Sequence, residues 1–307
     1  MSEIASLTLS PTHTNIVLTP GTPFSGRFTV SNRGDVAYPL KLRTAPFCIT
    51  GSGADYTQEF AAACDADSHR TQLMNWIDLD ATTFTHCNNA EWTDFTDDGS
   101  PILSPSSCLA INYTINPPAS IPDGGQFAAI ILSFDASAGN VAINQEVPFR
   151  FFARASNGQN LEQGEVIRTH IPALQFRTPL SARITVKNTG NVDFLIRRTL
   201  TVTNWFDRVF YEHTEDALIF PDRTRDLQLE WPDSPGFGLY RVNVTTELCS
   251  SIDSQPHECV EIGTKSEATH TVVMLPLPVA ITLMAGIILL ATFIIWKARR
   301  NKAIREF

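Results

Sequence analysis

The sequence predicts an all-β protein: two tandem immunoglobulin-like β-sandwiches followed by one C-terminal transmembrane α-helix. Three observations carry this reading. An internal repeat recurs one domain length apart, short alternating apolar segments are punctuated by turn residues, and the chain ends in a long uncharged run. The 307 residues, 43% of them hydrophobic, favour two domains over one. Charged residues make up 18% of the chain, and 19 Pro with 16 Gly supply many turns, which excludes a coiled coil or a wholly disordered chain.

The repeat comes first because it sets the architecture. Residues 22–36, Thr-Pro-Phe-Ser-Gly-Arg-Phe-Thr-Val-Ser-Asn-Arg-Gly-Asp-Val, match residues 178–192, Thr-Pro-Leu-Ser-Ala-Arg-Ile-Thr-Val-Lys-Asn-Thr-Gly-Asn-Val, at nine of fifteen positions without a gap. In each copy apolar residues fall at every second position, as in Phe24, Phe28 and Val30 or Leu180, Ala182, Ile184 and Val186, the period of a half-buried strand. Asn32 to Asp35 and Asn188 to Asn191 then supply Asn and Gly for a tight reversal.

Further strands follow the same rule. Leu109, Ile111, Tyr113 and Ile115 alternate with small or polar residues, Phe149, Phe151 and Ala153 with Arg150, Phe152 and Arg154. In the second copy Phe194, Ile196, Leu200 and Val202, then Leu227, Leu229 and Trp231, then Tyr240, Val242 and Val244 do likewise. Short alternating strands with no amphipathic helix between them indicate antiparallel sandwiches. The domains are placed at about 5–158 and 164–264, joined through Asn157 to Gly164.

From Thr271 to Trp296 there are 26 consecutive residues without a charge. A bilayer core of about 30 Å needs about 20 helical residues, so 271–296 is read as a membrane span. Residues 297–307 form a basic tail with Lys297, Arg299, Arg300, Lys302 and Arg305, which short flanking cations place in the cytoplasm. The body, 1 to about 270, is then extracellular at the plasma membrane. Its first ten residues lack the basic start and apolar run of a signal peptide. Either a signal was removed ahead of Met1, or the body stays inside as a tail-anchored protein; the cations favour the first. Without the tail the body holds 18 basic against 31 acidic side chains, which disfavours nucleic acid as a partner.

Six cysteines, Cys48, Cys64, Cys87 and Cys108 in one half and Cys249 and Cys259 in the other, read as disulfides of an oxidising compartment. Cys249 with Cys259 closes a short loop. Three pairings are open to the other four, with a preference for Cys64 with Cys87 and Cys48 with Cys108. These four bracket or lie within an acidic insertion, about 51–107, that accounts for the extra length of the first domain. It holds ten acids against one strong base, Arg70. Tyr56, Trp92, Asp94, Phe95, Asp97 and Asp98 are its candidate partner-binding residues, on the view that recognition resides on long loops. The plainer reading is a solvated acidic loop held by its cystines. Asp94, Asp97 and Asp98 lack the twelve-residue pattern of a calcium loop, and neither metal nor cofactor is expected. No GxSxG, SxxK, HExxH, Walker or GxGxxG motif occurs, so an enzyme is not expected.

Leu9-Ser-Pro11, Thr19-Pro-Gly21, Val30 to Asp35, Trp76-Ile77 and Pro117 to Leu132 in the first half carry a resemblance. So do Val186 to Phe194, Leu200 to Phe206, Phe220 to Arg225, Glu230-Trp231 and Phe237 to Tyr240 in the second. With these motifs and its terminal helix and basic tail, the chain resembles the WxL-associated bacterial surface proteins, whose tandem modules are the peptidoglycan-binding and host-binding domains. The resemblance implies a non-enzymatic single-pass protein that binds peptidoglycan or another surface protein. The four-cysteine insertion departs from that family, and no LPxTG signal or WxL domain accompanies it. The alternative expectation is a membrane-anchored assembly factor, a chaperone or pilus-type subunit that captures a partner strand at a sheet edge.

Overall fold

The structure, a computed structural model, describes residues 7–60, 64, 69–79, 84–138, 141–250, 259 and 261–305. The first domain contains β1 (Leu7–Ser10), β2 (His13–Leu18), β3 (Phe24–Asn32), β4 (Tyr38–Pro39), β5 (Lys41–Pro46), β6 (Cys48–Thr50), β7 (Thr57–Glu59), β8 (Ile77–Asp78), β9 (Phe84–His86), β10 (Ile102–Leu103), β11 (Cys108–Ile115), β12 (Gly125–Ala138) and β13 (Val141–Ala155). One sheet runs β1-β3-β11-β8 with β9 also on β11, and the facing sheet runs β2-β13-β12-β5. Alternation turns Phe28, Val30, Leu109, Ile111, Ile130, Leu132, Phe149 and Phe151 into the space between them. Phe28 stacks on Phe149 with ring centroids 4.1 Å apart.

The second domain contains β14 (Gly164–His170), β15 (Leu174–Gln175), β16 (Leu180–Asn188), β17 (Phe194–Thr203), β18 (Val209–Ile219), β19 (Thr224–Trp231), β20 (Gly238–Ser250) and β21 (Glu261–Met274). Its sheets run β14-β16-β19 and β15-β21-β20-β17-β18, around a core of Leu180, Ile184, Val186, Ile196, Leu200, Leu229, Val242 and Val272 among others. In both domains the opening strand changes sheet. β1 pairs with β3, and past Pro11 β2 runs parallel to β13; β14 pairs with β16, and past Pro172 β15 runs parallel to β21. This is the all-β, double-sandwich architecture the sequence predicts.

The repeat has a specific physical content. Asn32 and Asn188 end β3 and β16 fully buried, and each ties the following turn to a neighbouring strand end. Asn32 Nδ2 donates to the carbonyls of Val36 at 2.7 Å and Leu103 at 3.1 Å, while its Oδ1 accepts the Gly34 amide at 2.9 Å. Asn188 Nδ2 donates to Val192 at 2.8 Å and Ile219 at 3.0 Å, and its Oδ1 accepts Gly190 at 2.8 Å. The side chain replaces backbone pairing that the turn cannot supply.

A third apolar cluster lies between the domains. Phe47, Ile49, Phe127, Ala129, Ile131 and Phe152 cover the outer face of the β5-β12-β13 sheet, and Phe220 of the second domain packs on them with its ring 4.9 Å from Phe127 and 5.4 Å from Phe47. β12 is thereby buried on both faces, which is why Phe127 to Leu132 reads as a continuous apolar run.

The final strand departs from the sequence reading. β21 continues to Met274, beyond the expected domain end at 264 and into the expected span from Thr271. Val272 and Met274 are buried while Thr271 and Val273 are exposed, so the segment alternates as a strand although it carries no charge. The helix α1 then spans Leu277–Arg305. Its Leu277–Lys297 portion has a mean hydropathy of 2.5 and is uncovered by the rest of the chain, so it is long and apolar enough to cross a membrane. The side chains of Arg299, Arg300, Lys302 and Arg305 lie outside the described residues, as do Asp65, Asp67 and Asp80 of the acidic insertion.

Candidate functional site

The disulfides are Cys48–Cys64, Cys87–Cys108 and Cys249–Cys259. The last is as expected, but the preferred pairing of the other four is corrected. β9 lies against β11 and brings the Cys87 amide to the Cys108 carbonyl at 3.3 Å, while Cys108 sits in register with Ser31 on β3. Cys48 belongs to the β6-β7 hairpin, beside the interdomain cluster, where Cys64 can return to it. Local strand pairing closes the two short loops instead of the nested pair.

The insertion is built into the molecule. Leu73, on a 3-10 helix at Gln72–Asn75, and Trp92 and Leu103 belong to the first-domain core. Trp92, expected as a surface contact, is 2% exposed and donates its indole N–H to the Asp94 carbonyl at 2.8 Å.

Tyr56 is likewise occupied. Its hydroxyl accepts the Phe220 amide at 3.1 Å, and the Arg225 guanidinium lies 4.7 Å over its ring. Burial pushes its phenol up to about 12. Gly53, with φ +65, brings its backbone against the second domain, donating to Thr224 at 2.8 Å and accepting from Asp226 at 3.1 Å. Arg70 donates to the Asn191 carbonyl at 2.6 Å and pairs with Asp222 at 2.7 Å. The insertion thus clamps the two sandwiches together.

Asp94, Phe95, Asp97 and Asp98 are the candidates that remain exposed. Phe95 leans edge-on against Phe84 at 6.1 Å. Asp97 and Asp98 line a cavity of about 400 Å3 with Lys41, Thr96, Ser133 and Phe134. The Thr96 hydroxyl, and after it Ser100, hold the Asp98 carboxyl below its ordinary value. Among the described residues no cluster of three or more His, Cys, Asp or Glu forms a metal set.

The cavity sits at the root of a projecting ribbon that the sequence reading missed. β12 and β13 pair from Gly125 with Arg154 to Ala138 with Val141, but β5 covers β12 only over Ala128–Ser133 and β2 covers β13 only over Arg150–Ala155. Val141–Phe149 therefore has no strand on its outer side among the described residues. The Arg150 amide donates outward to Thr12 at 3.3 Å. By strand alternation, Pro148, Glu146, Asn144 and Ala142 then face the same side with their backbone groups. Pro148, which has no N–H to give a ladder, occupies such an edge-facing position without cost.

No family model and no curated protein matches the sequence. Among solved structures the chain is similar to the class 5 fimbriae chaperone CfaA, at 11% identity, covering 86% of this chain and 99% of that one with a TM-score of 0.39. It is also similar to the E. coli chaperone DraB, at 13% identity, with 86% and 98% covered and a TM-score of 0.37. A third similar structure is the Salmonella enterica SafA pilin in complex with the SafB chaperone, at 12% identity, with 89% and 98% covered and a TM-score of 0.36.

Proposed function

We propose that this chain is a non-enzymatic, membrane-held protein that captures an extended segment of a partner protein at the outer edge of β13. The observation that carries the reading is the uncovered stretch Val141–Phe149, where a strand continues past its neighbour with backbone donors and acceptors aimed outward. An incoming strand satisfies those groups, each hydrogen bond contributing about 0.5–1.5 kcal/mol net. The root of the edge is held in the sheet by β2 over Arg150–Ala155 and by β5 over Ala128–Ser133 on β12. Pro148 interrupts the edge and discourages pairing between copies. In the same reading α1 spans the membrane, the disulfide-bearing body lies outside and the basic tail lies in the cytoplasm.

The test is amide hydrogen exchange on the full chain in detergent, with and without a short peptide alternating valine and threonine. Slowed exchange at Asn144 and Glu146, lost in Asn144→Pro, is the expected result. Peptide binding that leaves both amides unchanged removes the edge as the site. Retention on purified cell-wall sacculi without peptide binding favours instead the wall contact implied by the WxL resemblance.

A further inference from the structure

The second domain carries its exposed apolar side chains at one end. Phe206 is 86% exposed, Trp205 65% and Phe237 63%, and Leu174, Phe176 and Leu239 are exposed beside them. Val209, Phe210 and Val273 adjoin this end on β18 and β21. The other large exposed apolar side chains of the two sandwiches, among the described residues, are Val36, Phe95, Leu161 and Ile167, which belong to separate segments, an ordinary surface scatter.

The strand register places the cluster. Thr203, Arg241 and Thr271 lie in one row across β17, β20 and β21, so the 204–208 hairpin tip projects beyond that row, level with the start of β20. Leu239 pairs with Val273, and Leu174 pairs with Val273 from the other side. The loop bearing Phe237 enters β20 at Gly238, opposite Met274. This is the end from which the chain leaves for α1. Val273 and Leu277 are four residues apart, which even fully extended span at most about 14 Å.

We propose that this end of the second domain rests in the interfacial layer of the bilayer that α1 crosses, with Trp205, Phe206 and Phe237 inserted at headgroup level. The inference rests on the reading of α1 as a membrane span. The short tether holds the cluster beside the membrane, and Trp and Phe suit that boundary because their rings are apolar yet tolerate a wet edge. Arg177 and Arg208 are exposed at the same end, where lipid phosphates lie. Two attachments, a helix and an inserted rim, fix the body's tilt, which a single flexible tether does not do. The rim thereby sets how the β13 edge is presented.

The experiment uses the full chain in phosphatidylcholine vesicles whose acyl chains carry bromine near the headgroup. Tryptophan emission of Trp296→Phe is compared in brominated and plain lipid, so that Trp205 reports the rim without the helix signal. A loss of emission in brominated lipid that disappears in the double variant with Trp205→Phe is expected. The double variant also subtracts any response of Trp76, Trp92 and Trp231, and Trp205, 65% exposed, is replaced without loss of core packing. Unchanged emission overturns the proposal, and shielding of Trp205 from an aqueous quencher in that case assigns the rim to contact with a second copy of the chain. In the single variant Trp205→Phe, which keeps Trp296, quenching of Trp296 reports the span itself. Absence of quenching at Trp205 alone therefore sinks the rim, and absence at both tryptophans sinks the membrane reading.

Discussion

The phenol of Tyr56, in the first sandwich, accepts a hydrogen bond from the backbone amide of Phe220, in the second, at 3.1 Å. The same ring lies under Arg225, and the amide it satisfies belongs to the residue whose ring seals the interdomain cluster. Tyr56→Phe leaves that amide without its acceptor and is expected to cost about 1 kcal/mol. The effect has a pH signature. Burial raises the Tyr56 phenol to about 12, so the neutral form is favoured in the folded state. That stability is fully present below the unfolded value near 10 and is lost as pH rises toward 12. Denaturant unfolding should show the difference between the two proteins narrowing across that window; a gap constant to pH 12 refutes the assignment.

Phe220→Ala removes the second domain's largest contribution to the interface. The ring is buried and lies 5.8 Å from Phe152 as well as touching Phe47 and Phe127. Truncating a buried Phe costs about 3–5 kcal/mol, here taken from the junction and not from either core. Calorimetry should resolve two unfolding transitions in the variant, and one cooperative transition would mean that the coupling of the two domains does not depend on this contact.

The double sandwich was legible because its cores obey local rules: alternation at Phe24, Phe28 and Val30 needs no knowledge of a partner. The junction was not. Gly53 meets Thr224, and Tyr56 meets Phe220, across separations that no periodicity encodes. One signal was present, since Phe127 to Leu132 is apolar on both strand faces and so requires a cover on each. Tyr56 and Trp92 invited a functional reading because an aromatic residue in an acidic loop looks free until its neighbours are known. The end of β21 differs for another reason: absence of charge marks a membrane span, but Thr271 to Met274 is uncharged and alternating, and the alternation decides.

The cystine assignment is checked by mass spectrometry of the unreduced, protease-digested chain, which should yield Cys48 joined to Cys64 and Cys87 to Cys108. Replacing Cys48 and Cys64 together with Ala opens a loop of sequence separation 16, worth about 3 kcal/mol by chain entropy. Because that loop carries Gly53 and Tyr56, the loss should appear at the interdomain transition. A loss confined to the first-domain core would contradict the clamp.

Asn188 and Asn32 make the repeat a structural necessity. Asn188→Ala leaves the Val192 and Ile219 carbonyls and the Gly190 amide buried without that partner, and is expected to cost about 2–3 kcal/mol. Asn188→Asp keeps the acceptor for Gly190 but removes the donor, so it should not rescue stability. Recovery to the unsubstituted level by Asp would show that the turn amide alone matters.

Arg70 tests which half of a charged contact does the holding. Its partner Asp222 keeps 69% of its side chain exposed, whereas the Arg70 side chain is 11% exposed and also donates to the Asn191 carbonyl at 2.6 Å. An exposed carboxylate contributes under about 1 kcal/mol and is screened by salt. A hydrogen bond from a charged donor to a part-buried carbonyl contributes about 1.5–3 kcal/mol and is not. Arg70→Ala should therefore destabilise the interdomain transition more than Asp222→Ala does, with most of its effect surviving in high salt. Equal losses, both abolished by salt, would instead make the ion pair the whole of the latch.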